Sequence, residues 1–312
     1  MKYIYIFGFF FLACSNTSDS FQLSVPEIED QLKGLNAIIV DAALKKDVTK
    51  RLSVFNPNPI CMADHQASMQ GLANLKIYHQ SIFERQKLSQ YLRTTVKVYP
   101  LKERIIEVGT FVKSGIMEQD SSSFLHEGKY LNLWTITADG ELQLAVETWN
   151  YDKGVEDINS ILVNVPAAEN HGLFEIESPL TPEQHEGLSK TKEIMSRGVN
   201  ERDGALRATI YHDDGIFMPH DAPLMLGKEQ ILEHLLEYNS GNVSIDSLEA
   251  GSNWAENLDD FIVESSFYYV EWSVDEYSGI GKGKGLRLWK KTEEGGQKIL
   301  VNIALRDTDL AQ

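Results

Sequence analysis

Two blocks of this chain recur about 156 residues apart, and that duplication limits what it can fold into more than any other feature. The first reads Met62-Ala63-Asp64-His65-Gln66-Ala67-Ser68-Met69-Gln70-Gly71. The second reads Met218-Pro219-His220-Asp221-Ala222-Pro223-Leu224-Met225-Leu226-Gly227, with both Met positions and the Gly in register. Further on, Gly128-Lys129-Tyr130-Leu131-Asn132-Leu133-Trp134 matches Gly283-Lys284-Gly285-Leu286-Arg287-Leu288-Trp289 at a spacing of 155. Two independent matches at nearly one spacing read as a tandem duplication. A length of 312 residues is also that of two ordinary domains.

Each copy has the same order of elements. An amphipathic helix comes first, over Val25 to Leu52 and again over Pro182 to Ala208, with Ile28, Leu32, Leu35 and Ile39, then Leu188, Ile194 and Val199, at helical spacing. Thr181 followed by Pro182 is a helix start, a capping hydroxyl before the first helical position. A short strand carries the Met-Asp/His block, and its Gly opens a second helix, Leu72 to Arg85 and Lys228 to Asn239. The remainder alternates like half-buried strands, near Thr94–Tyr99, Arg104–Lys113, Tyr130–Thr137 and Glu141–Tyr151. In the second copy the strands fall near Val243–Ala250, Asp260–Val274, Gly281–Lys291 and Gln297–Asp307. Asp139-Gly140 and Gly295-Gly296 supply hairpin turns. The pattern predicts an α+β fold with a first domain over 25–152, a linker over 153–180 that packs partly on one domain, and a second domain over 181–308.

The N-terminus predicts export. Lys2 precedes an apolar run from Tyr3 to Ala13, which as a helix rises only about 16 Å, too short for a bilayer core of roughly 30 Å. A signal peptide over 1–13 fits that length. The run ends at Phe11-Leu12-Ala13-Cys14, which resembles a bacterial lipobox with Phe11 where Leu is usual. That resemblance implies cleavage before Cys14, lipidation of its thiol, and a polar tether over 14–24. The expected location is the bacterial cell envelope, periplasmic or outer-membrane-associated, with the membrane a partner through the lipid. The other cysteine, Cys61, sits in apolar company and suits a small buried hydrophobe. A net charge of -17 argues against a nucleic-acid partner, which needs a basic footprint.

Helices first, then a long antiparallel sheet, a Gly opening the second helix, a Gly-Lys-Tyr strand carrying Trp134, and the closing Glu147-Thr148-Trp149-Asn150 together resemble the nuclear transport factor 2-like superfamily, within it the SnoaL-like group that includes polyketide cyclases and ketosteroid isomerase. The second copy keeps Gly227, Gly283-Lys284 and Trp289 but has Ala304-Leu305 in place of the closing Trp-Asn. The resemblance implies two cone-shaped domains, each a curved antiparallel sheet wrapped around N-terminal helices, with a pocket at the wide end. It also implies pairing of sheet faces, here as an internal pseudo-dimer.

The candidate chemistry lies on these strands. Glu147 and Trp149 alternate onto one face of the last strand, setting a carboxylate against an indole in an apolar setting that disfavours its charge. Asp64 and His65 join a carboxylate to an imidazole and are the other acid–base candidates. Adjacent strand residues face opposite ways, though, and the order is swapped at His220 and Asp221. Pocket candidates are Met62, Met69, Tyr130, Trp149, Met218, His220, Asp221 and Asn302, the last replacing Glu147 at a spacing of 155. No His, Cys, Asp and Glu spacing makes a metal centre, and no cofactor is expected. The Gly279–Gly285 run enters a strand, so it lacks the helix that a phosphate cradle needs. The expected function is a lipid-anchored envelope protein binding a small apolar or amphipathic ligand or a protein partner. The alternative is a SnoaL-like isomerase, cyclase or hydrolase with one active site in the first domain.

Overall fold

The computed structural model describes residues 23–169, 172 and 174–308. The proposed signal peptide and Cys14 lie outside the described residues. In the first half, α1 (Val25–Leu44), α2 (Val48–Leu52), β1 (Phe55–Ala63), β2 (Met69–Gln70) and α3 (Leu72–Arg85) precede β3 (Gln86–Leu101), β4 (Arg104–Met117), β5 (Ser123–Ile136) and β6 (Leu142–Tyr151). The second half repeats this as α4 (Pro182–Asn200), α5 (Gly204–Ala208), β7 (Tyr211–Met218), β8 (Met225–Leu226), α6 (Lys228–Tyr238), β9 (Ser244–Leu258), β10 (Phe261–Val274), β11 (Tyr277–Lys291) and β12 (Gln297–Arg306). The sheets have matching strand orders, β2-β1-β6-β5-β4-β3 and β8-β7-β12-β11-β10-β9. In both, the first long strand pairs parallel with the last, and every other pairing is antiparallel.

Each long opening helix expected from the sequence is broken once. Asp47 and Asp203 cap new short helices, their carboxylates accepting from the backbone of Lys50 and Leu206. Just before them Lys46 and Arg202 take the left-handed conformation that ends the first helix. The strands run longer than the hydrophobic alternation suggested, because β3 and β9 are exposed edges whose outer residues carry little apolar signal. Gly71 and Gly227 begin their helices at φ 83°, a conformation that suits glycine.

The two faces of each sheet bury different things. Toward the helices of the first half point Cys61, Ile105, Trp134 and Leu144, packed on Ile28, Leu32 and Ile39 of α1. Away from them point Ile60, Met62, Ile106, Val108, Leu131, Leu133 and Val146, which join Ile216, Met218, Val263, Leu286, Leu288, Val301 and Ile303 of the second half in one core. The linker over 153–180 spans both halves. Gln66 brackets its backbone at Val163, donating at 2.9 Å and accepting at 2.8 Å, and Phe174 stacks on Trp254 with centroids 4.6 Å apart.

Polar contacts across the shared core repeat with a two-fold pattern. The His65 N–H donates to the Arg306 carbonyl at 2.8 Å, and the Asp221 N–H donates to the Tyr151 carbonyl at 3.0 Å. Lys129 reaches the Ala222 carbonyl at 2.5 Å, while Lys284 reaches the Gln66 carbonyl at 2.7 Å. Each pair of contacts joins equivalent positions of the two copies in opposite directions. Lys102 and Asp259 hold equivalent hairpin positions, and their ion pair closes at 2.8 Å. Contacts of this reciprocal kind define an isologous interface. The symmetry is not complete: Arg104 donates two bonds to Glu256, at 3.0 and 3.1 Å, where the equivalent positions on the other side hold Phe261 and Tyr99.

Candidate functional site

On the helix-facing side of the first sheet, period-two alternation lines up Ile105, Glu107, Gly109, Phe111 and Lys113 on β4, Tyr130, Asn132 and Trp134 on β5, and Glu147 and Trp149 on β6. Glu107 is the hub. Its Oε1 accepts from Asn36 at 2.7 Å, Thr95 at 2.7 Å and Tyr130 at 3.0 Å, and its Oε2 accepts from Trp134 at 3.0 Å and Asn132 at 3.3 Å. Gly109 makes room for this, because a Cβ there would lie 2.1 Å from the Tyr130 ring.

Beside that hub, a partly open cavity of about 70 Å³ remains under α2 and α3, among its walls Arg51, Tyr78, His79, Arg93, Phe111, Lys113, Glu147 and Trp149. Arg51, presented by α2, sets Nη2 against both oxygens of Glu147 at 2.6 and 2.5 Å. Arg93 reaches in from β3. Its Nε donates to Asn36 at 2.7 Å, its guanidinium stacks 3.8 Å over the Tyr130 ring, and its Nη1 lies 4.0 Å from Glu147 Oε1. The far ends of both guanidiniums, Arg51 Nη1 and Arg93 Nη2, are buried with no hydrogen-bond partner among the described residues. His79 Nε2 and Gln86 Nε2 are in the same condition. Burial holds the His79 imidazole well below its ordinary range, so it is neutral. The Lys113 ammonium lies 5.9 and 5.6 Å from the rings of Phe111 and Tyr151, and desolvation pulls it down to about 8.

Apart from Asn302, which lies in the second interior, the residues expected from the sequence divide into two groups. Glu147, Tyr130 and Trp149 lie together on the cone interior, and Met69 packs in the neighbouring apolar core. Glu147 is ion-paired with Arg51, whereas the sequence alone suggested a carboxylate set only against an indole. The other group lies between the sheets. Met62 and Met218 are in the shared core, with the Ser265 hydroxyl 3.9 Å from the Met62 sulfur. Asp64 accepts from the Arg306 N–H at 2.8 Å, and burial pushes its carboxyl above the ordinary range against the pull of His65. His220 and Asp221 occupy the mirrored corner, with burial holding His220 down to about 4. None of these four reaches the cavity. The swapped Asp/His order has a simple reason. His65 and Asp221 are equivalent, both left-handed at φ 63° and 56°, and it is their backbone N–H that crosses to the other half.

Arg51, Arg93, Lys113 and Glu107 were not singled out from the sequence. The available signal was the inward strand position: Glu107 interrupts Ile105, Ile106 and Val108, as Glu264 interrupts Ile262 and Val263. The second interior is built differently. Glu264 accepts from Trp289 at 2.8 Å and Ser252 at 2.5 Å, as Glu107 does from Trp134 and Thr95. Lys192 and Arg287 replace Asn36 and Asn132 around it. Burial opposes its charge, but Arg287 and Lys192 outweigh that and hold its carboxyl below the ordinary range. At the positions of Arg93, Lys113 and Glu147 stand Ala250, Val270 and Asn302, and Asn302 instead donates to the Tyr211 hydroxyl at 3.0 Å. Among the described residues no group of three His, Cys, Asp or Glu side chains is placed to hold a metal ion.

The class of protein this defines is a tandem pair of α+β units joined sheet to sheet, one with a charged interior cavity. No family model matches the chain, and no curated protein matches it. Among the solved structures it is similar to are a ketosteroid isomerase-like and a nuclear transport factor 2-like protein, each matching well under half of the chain. A ketosteroid isomerase-like protein from Erwinia carotovora atroseptica is 15% identical over 42% of this chain and 100% of its own, with a TM-score of 0.37. A nuclear transport factor 2-like protein from Cytophaga hutchinsonii is 17% identical over 39% of this chain and 98% of its own, at 0.33. A putative Ca/calmodulin-dependent kinase II association domain from Exiguobacterium sibiricum is 14% identical over 42% and 98%, at 0.35.

Proposed function

We propose that this chain is a lipid-anchored binding protein of the bacterial envelope, in which the first cone holds a small amphipathic molecule and the second is its structural partner in an internal pseudo-dimer. The observation that carries this reading is the cavity beneath α2 and α3, whose walls combine aromatic rings with unsatisfied buried donors. Buried polar groups in folded proteins are nearly always paired, and those that are not call for a role. At about 70 Å³ the space is far below the roughly 300 Å³ at which pockets for drug-sized ligands begin, so the occupant is a molecule of a few heavy atoms. The second interior lacks the equivalents of Arg93, Lys113 and Glu147, which supports a structural part for that half. The rival reading, an enzyme using Glu147 as its acid or base, is weakened by the Arg51 guanidinium across both Glu147 oxygens.

Two experiments test this. A thermal-shift series with small amphipathic compounds should stabilise the whole chain, and filling the cavity with Ala43→Met, at a buried lining position, should abolish the shift. Stabilisation that survives Ala43→Met places the ligand elsewhere and refutes the chamber. For the anchor, labelled palmitate should appear on the exported protein and be lost in Cys14→Ser. An unlabelled wild type would refute lipidation.

A further inference from the structure

The charge balance of the cavity identifies the chemistry of its occupant. The protein carries a net charge of -17, yet this interior is cationic. Arg51, Arg93 and Lys113 face one lining carboxylate, Glu147, with Glu107 behind Arg93. Three cations against two carboxylates leave one positive charge uncompensated. His79 and the nearby His126 are held neutral by burial, so neither changes the count near neutral pH. Arg51 and Arg93 approach the same Glu147 oxygen, at 2.6 and 4.0 Å, and each keeps a second nitrogen buried and bare. Guanidinium edges of this kind pair with carboxylates and phosphates through two parallel N–H donors.

We infer that the first cone binds a small monocarboxylate, its carboxylate group bridging the free ends of Arg51 and Arg93 beside Lys113. This rests on the ligand-chamber reading above and names the ligand class. A monoanion neutralises the single excess charge, whereas a phosphate dianion would overshoot it next to Glu147. The rings of Tyr78, Phe111 and Trp149 suit a short apolar tail and give a tetrahedral inorganic ion nothing to bond. At roughly 15 Å³ per water-sized group, the cavity takes about five heavy atoms, the size of propionate. The second cone lacks this chemistry because Ala250, Val270 and Asn302 stand where Arg93, Lys113 and Glu147 would be needed.

Calorimetric titration of the whole chain with propionate, propionamide and inorganic phosphate tests the proposal. Propionate should bind one to one, at least about tenfold more tightly than either other probe. Arg93→Gln should weaken propionate at least about tenfold, and Lys113→Met should weaken it by a similar factor while leaving the circular dichroism spectrum and cooperative unfolding intact. Lys113→Met keeps the test valid should Arg93→Gln fail to fold, since the substitution leaves the β4 backbone unchanged and the Lys113 ammonium has no hydrogen bond among the described residues. Equal binding of propionamide overturns the anion assignment while leaving the chamber in place. Preference for phosphate overturns the carboxylate assignment. Absence of propionate binding at 100 mM or so, or affinity unchanged in Lys113→Met, overturns the proposal outright.

Discussion

Replacing Glu107 by Gln probes the interior of the first cone at its hub. The carboxylate is fully buried and takes two donors on one oxygen and three on the other. An amide can keep only one of those oxygens. Whichever way it turns, at least two donors among Asn36, Thr95, Tyr130, Asn132 and Trp134 then face an NH2 group that cannot accept. Hydrogen bonds to a charged group contribute about 1.5 to 3 kcal/mol each, and removing the buried charge returns part of that loss. The net expectation is a destabilisation of about 3 kcal/mol. With a urea m-value near 3 kcal/mol per molar, suited to a chain of this size, the unfolding midpoint should fall by about 1 M at unchanged slope. Trp134→Phe should lose about 1 kcal/mol alone and show coupling with Glu107→Gln in a double-mutant cycle. A Glu107→Gln midpoint within about 0.2 M of wild type, or additive losses, would refute the hub.

Other expectations follow from the same geometry. Lys113 has its folded pKa depressed to about 8 from 10.5, so the native state bears a penalty for its charge below pH 8 that disappears as pH rises toward 10.5. Stability should therefore climb over that window, by at most roughly 3 kcal/mol for full burial and less for this half-buried side chain, and Lys113→Met should flatten the climb while raising stability at pH 7; a wild-type profile already flat from pH 8 to 10 contradicts this. Gly109→Ala drives a Cβ into the Tyr130 ring and should cost about 2 kcal/mol or more by denaturant unfolding, with a neutral result excluding the close approach. Cys61 is wholly buried, and burial pushes its thiol well above the ordinary range, so thiol reagents should label it only at the rate of unfolding. Rapid labelling of Cys61 in the native Cys14→Ser protein would place it elsewhere.

The architecture was legible because a duplication repeats its signals. Gly71 and Gly227 mark the same helix start, and Trp134 and Trp289 the same buried indole, so each copy checks the other. The inward placement of Glu147 and Trp149 was legible from alternation along the last strand. What alternation could not supply was the partner of each face. Met62, Asp64 and His65 looked like site residues because a polar pair beside buried methionines is what a pocket rim looks like in one copy alone. Their partners, Arg306 and Ser265, come from the other half, at sequence separations no local pattern reaches. Arg51 and Arg93 were hidden for a related reason: one lies on a one-turn helix after a break, the other on an exposed edge strand, and both read as ordinary surface cations. Glu107 carried a local signal, a charge at an inward strand position among apolar neighbours.

The sheet-to-sheet union of the two copies underlies everything else, and producing residues 23–152 without the rest tests it most directly. That fragment bares Ile60, Met62, Ile106, Val108, Leu131, Leu133 and Val146 on one sheet face. Sedimentation should show it self-associating through that face, or failing to remain soluble. A fragment that sediments as a monomer, and unfolds as cooperatively as the intact chain, would contradict the account.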